Sequence, residues 1–214
     1  MLIASAVPTS DEARLDAELR AAGLSSADFR EPDLRAPLDV AGLIAAVPTQ
    51  CTAKGMFFEQ LARSARKHGV ACEARYVAFR DYPLGAYMRL MADYGAARHP
   101  GVPVREALRR VGWEAFPTLM SSVAGRVIFA FAGRDVRSAL RLAPDAYKHS
   151  LSHSSVRSLL NTAGQAVLEY RDVWNFPDSY HVGAIEGGCR AFGSEPRVRL
   201  CVRSATSVDM LIRW

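Results

Sequence analysis

The spacing of apolar residues changes near residue 160, and that change limits what the chain can fold into. Upstream the spacing is helical. Met56, Phe57, Leu61, Ala62 and Ala65 recur along "TAKGMFFEQLARSARKHG", and Leu84, Tyr87, Met88, Met91 and Tyr94 form an i, i+3, i+4, i+7 stripe along "LGAYMRLMADYGAARH". Downstream it alternates. "PRVRLCVRS" sets Val198, Leu200 and Val202 on one face and Arg199, Cys201 and Arg203 on the other. "TAGQAVLEYRDV" reads as an earlier strand through Ala166, Leu168 and Tyr170, and "VDMLIRW" as the last. Between them, a helix over 178–192, capped by Asp178 or Ser179, carries Gly183, Gly187 and Gly188. Helices followed by strand, helix, strand and strand define an α+β fold: an N-terminal helical part, then a small antiparallel sheet with one inserted helix.

Punctuation in the helical half sets further boundaries. Residues 11–23 read as a helix with Ser10 at the N-cap and Gly23 at C′. The composition shift near residue 50 suggests a helical leader over 1–49 and a domain proper over 50–214. Pro103 opens a helix that closes on Gly112, residues 113–132 read as helical and mostly buried, and 135–153 as one or two helices interrupted at Pro144. His68 and His99 fall at helix ends, where a positive group suits the dipole.

Charge excludes some partners. The net charge is +5, but the arginines are scattered, and the densest run, "REALRR", contains a glutamate. Nucleic-acid binding calls for a concentrated basic footprint, so no nucleic-acid partner is expected. No apolar run approaches membrane-spanning length, and "MLIASAVPTSDEARLD" lacks the pattern of a signal peptide, so the expected location is cytoplasmic, with no membrane partner. Cys51, Cys72, Cys189 and Cys201 form no C-x-x-C and read as reduced thiols, three of them buried; a Cys189–Cys201 disulfide is the lesser alternative.

No residue constellation supports an enzyme. There is no phosphate-binding glycine motif and no nucleophile elbow, and Cys189 lies within a helix. His149 and His153 in "HSLSH" stand at i, i+4 and would share a helix face, but no carboxylate or cysteine joins them, so they are weak metal candidates and none is assigned. Glu186 lies in an apolar helix and, if buried, needs an arginine such as Arg126 or Arg171; the reading favours a structural ion pair over catalysis. His181 opens the same helix as a cap or a pocket residue. Gly183 and Gly187, four apart on one face, allow close packing or the close passage of a flat ligand.

The segments "TAKGMFFEQL", "YPLGAYMRLM", "HPGVPVREALRRVGWEAF", "AGRVI" and "YHVGAIEGG…W" resemble a paralogous myxobacterial family known as a domain of unknown function. More remotely, the layout is similar to the haem–nitric-oxide/oxygen-binding (H-NOX) domain. That resemblance implies an H-NOX-like fold over 50–214 and a proximal haem ligand near His149, His153 or Tyr147. The propionate motif of that family, Y-x-S-x-R, falls on "YRDVW": Tyr170 is kept, but Asp172 and Trp174 stand in place of the serine and arginine. A carboxylate beside a propionate is repulsive, and tryptophan makes no bidentate contact. The resemblance thus implies an H-NOX-like scaffold with no cofactor, haem being the lesser alternative.

The expected function is a non-enzymatic sensor or adaptor module in signalling, taking a small apolar ligand in a pocket between helices and sheet. The pocket candidates are Phe57, Tyr87, Trp113, Phe116, His149, Tyr170, His181, Gly183 and Gly187. The alternatives are a protein-interaction domain with a filled core, and a haem gas sensor with a non-standard proximal residue.

Overall fold

The structure is a computed structural model that describes residues 10–121 and 135–214. The helical half contains α1 (Ser10–Ala21), α2 (Val40–Ala46), α3 (Gly55–Lys67), α4 (Leu84–Arg98), α5 (Val104–Ser121) and α6 (Val136–Ser150). Two three-residue strands, β1 (Thr52–Lys54) and β2 (Asp81–Pro83), pair antiparallel ahead of α3 and α4. The second half is β3 (Ser155–Thr162), β4 (Gln165–Arg171), α7 (Tyr180–Ala191), β5 (Arg197–Ser204) and β6 (Ser207–Arg213). Its sheet is antiparallel throughout, in the order β3-β4-β6-β5.

The α+β reading holds, and several boundaries move. The α4 stripe is buried as its periodicity requires, but Phe58, rather than Phe57, is the most enclosed aromatic of α3. Helix α5 does not close on Gly112; it runs on to Ser121. Helix α6 is one helix with Pro144 inside it, without the hydrogen bond that proline's missing N–H removes. Strand β3 was not expected. It is an edge strand with only Val156 buried, so apolar alternation hardly marks it. Residues 122–132 of the expected buried helix lie outside the described residues.

Both faces of the sheet are covered. Ala166, Leu168, Tyr170, Val198, Leu200, Val208, Met210 and Ile212 pack with Val136 and Leu140 of α6 and with Val182, Ile185 and Cys189 of α7. Val167 and Leu211, of opposite parity, pack with Leu19 and Phe29. Arg30 also exchanges backbone hydrogen bonds with Leu200 at 2.7 and 2.8 Å. Residues of the 10–30 segment therefore pack against the sheet. They explain why β4 is buried along nearly its whole length.

The two halves meet where α5 crosses α7. A Cβ on Gly183 would lie 1.8 Å from the Arg109 carbonyl oxygen, one on Gly187 2.5 Å from that of Trp113, and one on Gly112 2.1 Å from that of Tyr180. The glycines of α7 thus serve helix packing, and their other reading, passage of a flat ligand, is excluded where α5 occupies the face. Alanine at Gly183 gains about 1 kcal/mol of helix propensity but overpacks rigid backbone at a cost of up to about 3 kcal/mol or more. Chemical denaturation should therefore show Gly183→Ala destabilised by about 2 kcal/mol. Gly85→Ala, whose new Cβ would meet Ile44 at an ordinary 3.5 Å, should be neutral or stabilised by up to about 1 kcal/mol.

Candidate ligand cavity

Below the glycine crossing, the contact between α5 and α7 relaxes. A Cβ on Gly188 would face the Phe116 ring at 3.3 Å rather than backbone. Here the structure holds a cavity of about 140 Å³. Small side chains create it: Ala115 of α5, Ala139, Ala143 and Ala146 of α6, and Ala184 and Gly188 of α7 all line it. Ala139, Ala143 and Ala146 of α6, and Ala184 and Gly188 of α7, stand at helical spacing, so each helix presents little bulk toward the cavity. No residue of the sheet lines the cavity. It is a partly open cavity lined by helices and the β4–α7 loop rather than lying between helices and sheet.

Of the expected pocket residues, Phe57, Tyr87, Phe116 and His181 line this cavity. Gly183 and Gly187 do not, being closed by α5. Trp113 does not either; its indole N–H donates to Glu186 Oε2 at 2.6 Å. Tyr170 stands one layer behind, its ring edge-on to Tyr147 at 5.4 Å and 5.7 Å from His181. The side chain of His149 lies outside the described ones. His153 is exposed, in a left-handed turn beyond the end of α6, so it does not extend that helix face beside His149. Among the described residues no three metal-ligating side chains converge.

Sequence reasoning missed Asn175, Tyr147 as a wall residue, and the alanines. Alanines on a helix carry no signal that distinguishes a cavity wall from a tight contact. Asn175 sits in the β4–α7 loop, whose Asp172 and Phe176 adopt φ of 55° and 61°. An aromatic residue in the left-handed region is strained by about 1–3 kcal/mol.

His181 is the polar centre of the wall. Its Nδ1 is hydrogen-bonded to the Tyr147 hydroxyl, and its Nε2 is buried with no hydrogen-bond partner among the described residues. Burial lowers its pKa from 6.5 to about 3, so the ring is neutral at physiological pH. Burial likewise pushes Tyr87 and Tyr147 well above the usual phenol range, and Cys189, also on the wall, up to about 12. The Tyr170 hydroxyl interacts with that of Tyr147 but not in hydrogen-bonding geometry. Among the described residues the wall therefore carries no charge. His99 is also pushed down by burial, so it is not the capping cation its position suggested.

Beside the cavity, Glu186 is 4% exposed and holds Arg109 bidentately, at 2.7 Å to Nε and 2.6 Å to Nη2. The structural ion pair is present, but the partner is neither Arg126 nor Arg171. Arg126 lies outside the described residues, and Arg171 pairs with Glu169 and Asp209. Asp178, expected as a cap, instead pairs with Arg105. All four cysteines are free, Cys51 and Cys189 buried and the other two partly exposed, so Cys189 and Cys201 are not joined.

The family model described as "Protein of unknown function (DUF2378)" matches residues 40–214, and the chain belongs to that family. No curated protein matches the chain. Solved H-NOX structures share its fold. The Fe(II) unliganded H-NOX protein from K. algicida is 16% identical, with a TM-score of 0.54 over 75% of this chain and 95% of that one. The S. oneidensis H-NOX protein in the Fe(II)NO state is 16% identical, with a TM-score of 0.55 over 75% and 98%. An oxygen-binding H-NOX domain related to soluble guanylate cyclases is 17% identical, with a TM-score of 0.53 over 74% and 91%. No helix among the described residues is long and apolar enough to cross a membrane.

Two measurements check the site's electrostatics. An unfolded histidine takes up a proton near pH 6.5, whereas His181 in the folded protein does so only near pH 3. Stability should fall as pH drops through that window. In parallel urea titrations, His181→Phe should lose this component, so the difference between wild type and variant changes with pH between 6.5 and 3 and is flat above it. Glu186→Gln leaves Arg109 without its buried carboxylate and should cost about 2–3 kcal/mol, the usual buried-pair penalty reduced by the partial exposure of Arg109. The double variant with Arg109→Gln should cost less than the sum of the singles.

Proposed function

We propose that the chain is a non-enzymatic sensor or adaptor module whose partly open cavity takes a small apolar ligand. The observation that supports this most is the cavity itself: a space of about 140 Å³ that the described residues wall with alanines and aromatics and no charged side chain, in a fold whose relatives include oxygen-binding and NO-ligated domains. A filled core would have larger residues where Ala139, Ala143 and Ala184 stand.

Haem, the cofactor the fold family implies, does not fit the described residues. A cavity of this size compares with one that accepts benzene, and sites for drug-sized ligands run from about 300 Å³ upward. A haem macrocycle is larger still. Neither Asp172 nor Trp174 lines the cavity, so the segment matching the propionate motif offers it nothing. The second reading, a protein-interaction domain with no ligand, requires the cavity to stay empty.

The test is to purify the protein from cells supplied with a haem precursor and record its absorption and native mass spectra. The expected result is a colourless protein that carries a small added mass or takes up a small aromatic probe. A Soret band with stoichiometric haem overturns the exclusion of haem. Bare sequence mass with no uptake of any probe favours the interaction domain.

A further inference from the structure

Residues 68–80 join α3 to β2 without helix or strand, yet they are held at many points. Arg66 Nη1 donates to the Glu73 carbonyl at 2.7 Å, and Glu59 Oε2 accepts from the Tyr76 N–H at 3.0 Å. The Tyr82 hydroxyl accepts from the Val77 N–H at 3.0 Å. The first two N–H groups of α3, on Gly55 and Met56, donate to the carbonyls of Arg80 and Ala78, both at 2.9 Å. The Tyr76 ring stacks on Phe58 with centroids 4.8 Å apart. Gly55 lets the loop come this close, since a Cβ there would lie 2.1 Å from the Val77 carbonyl oxygen. The loop is therefore preorganised, and a loop of about a dozen residues fixed in this way is uncommon unless it serves a function.

Its outward side is apolar at the tip. Phe79 is 78% and Val77 54% exposed, and Phe79 is the most exposed large apolar side chain among the described residues. Basic groups surround them. Arg75 and Arg80 flank the tip, and Arg63 and Lys67 follow Glu59 at i+4 and i+8 on the face of α3 that holds the loop. All four are exposed and form no ion pair among the described residues. Of the carboxylates within residues 54–81, Glu59 pairs with Arg66 and Asp81 with Lys54, which leaves Glu73 to set against these four cations.

We infer that this loop docks a protein partner that offers an apolar pocket rimmed by carboxylates. Phe79 enters the pocket, Val77 packs beside it, and Arg75 and Arg80 meet the acidic rim. Aromatic and arginine side chains carry much of the energy of such contacts, and a loop already held in place gives up little entropy on docking. A fluid bilayer would gain nothing from that preorganisation and rewards more inserted apolar bulk than two side chains supply. The assignment does not depend on the cavity and stands or falls separately from it.

The test places a benzoyl-phenylalanine photo-crosslinker at position 79 of the full-length protein in its cells of origin, with the same group at the exposed Val202 as control. The expected result is one protein captured at 79 and not at 202, linked through an acidic segment. Once purified, that protein should bind wild type, and Phe79→Ser should weaken binding at least about tenfold. Arg75→Glu combined with Arg80→Glu should slow association and remove its salt dependence, and lysines in place of the carboxylates of the linked segment should restore binding to that variant. Circular dichroism would check that each variant is folded. Capture of lipid, nucleic acid or a second copy of this chain, no product beyond that at Val202, or a partner whose carboxylates do not respond to the exchange would each overturn the proposal.

Discussion

Everything in this molecule depends on how closely α5 and α7 approach. Backbone meets backbone at Gly112, Gly183 and Gly187, and no side chain could be inserted there without moving a carbonyl. That contact joins the helical half to the half that carries the sheet. It also fixes what surrounds it. Glu186, one residue from Gly187, is held against Arg109 and Trp113. His181 and Tyr180 are set in the first turn of α7, where Tyr180 reaches Tyr87 of α4 at 3.4 Å between hydroxyls. Where the glycine contact ends, the helices part and the cavity begins. The tight crossing and the empty space are two parts of one packing arrangement.

The sequence carried the periodic parts well. The α4 stripe, the alternation of β4 to β6 and the glycine helix all appear where their spacing puts them, because each packs against a core. What it did not carry is what depends on distant partners. Gly112 reads as a helix stop; only the presence of α7, some seventy residues later, makes it a contact residue inside a continuing helix. Arg109 and Glu186 are 77 positions apart, so the burial of Glu186 was legible but its partner was not. Val202 alternates in phase with Val198 and Leu200 yet is 58% exposed, because it lies past the edge of the core. Phe57, Tyr87, Phe116 and His181 were legible as pocket candidates from their chemistry, whereas an alanine shows nothing until its neighbours are known.

The relation to the H-NOX domains is one of architecture. At 16–17% identity over about three quarters of the chain, what the two share is the fold. Fold does not fix function, and the interior decides. Here the cavity is of modest size, and among the described residues its polar side chains are an asparagine, a neutral histidine and three tyrosines.

The family boundary at residue 40 and the boundary of the folded body do not coincide. Leu19 and Phe29 lie before it, yet they are what covers Val167 and Leu211. A fragment beginning at residue 40 would leave an apolar strip bare on the back of its sheet, with the β5 backbone that Arg30 engages left open. Such a surface is adhesive, and the fragment would pair with itself or with whatever strand it met. In this protein, Leu19, Phe29 and Arg30 occupy that surface.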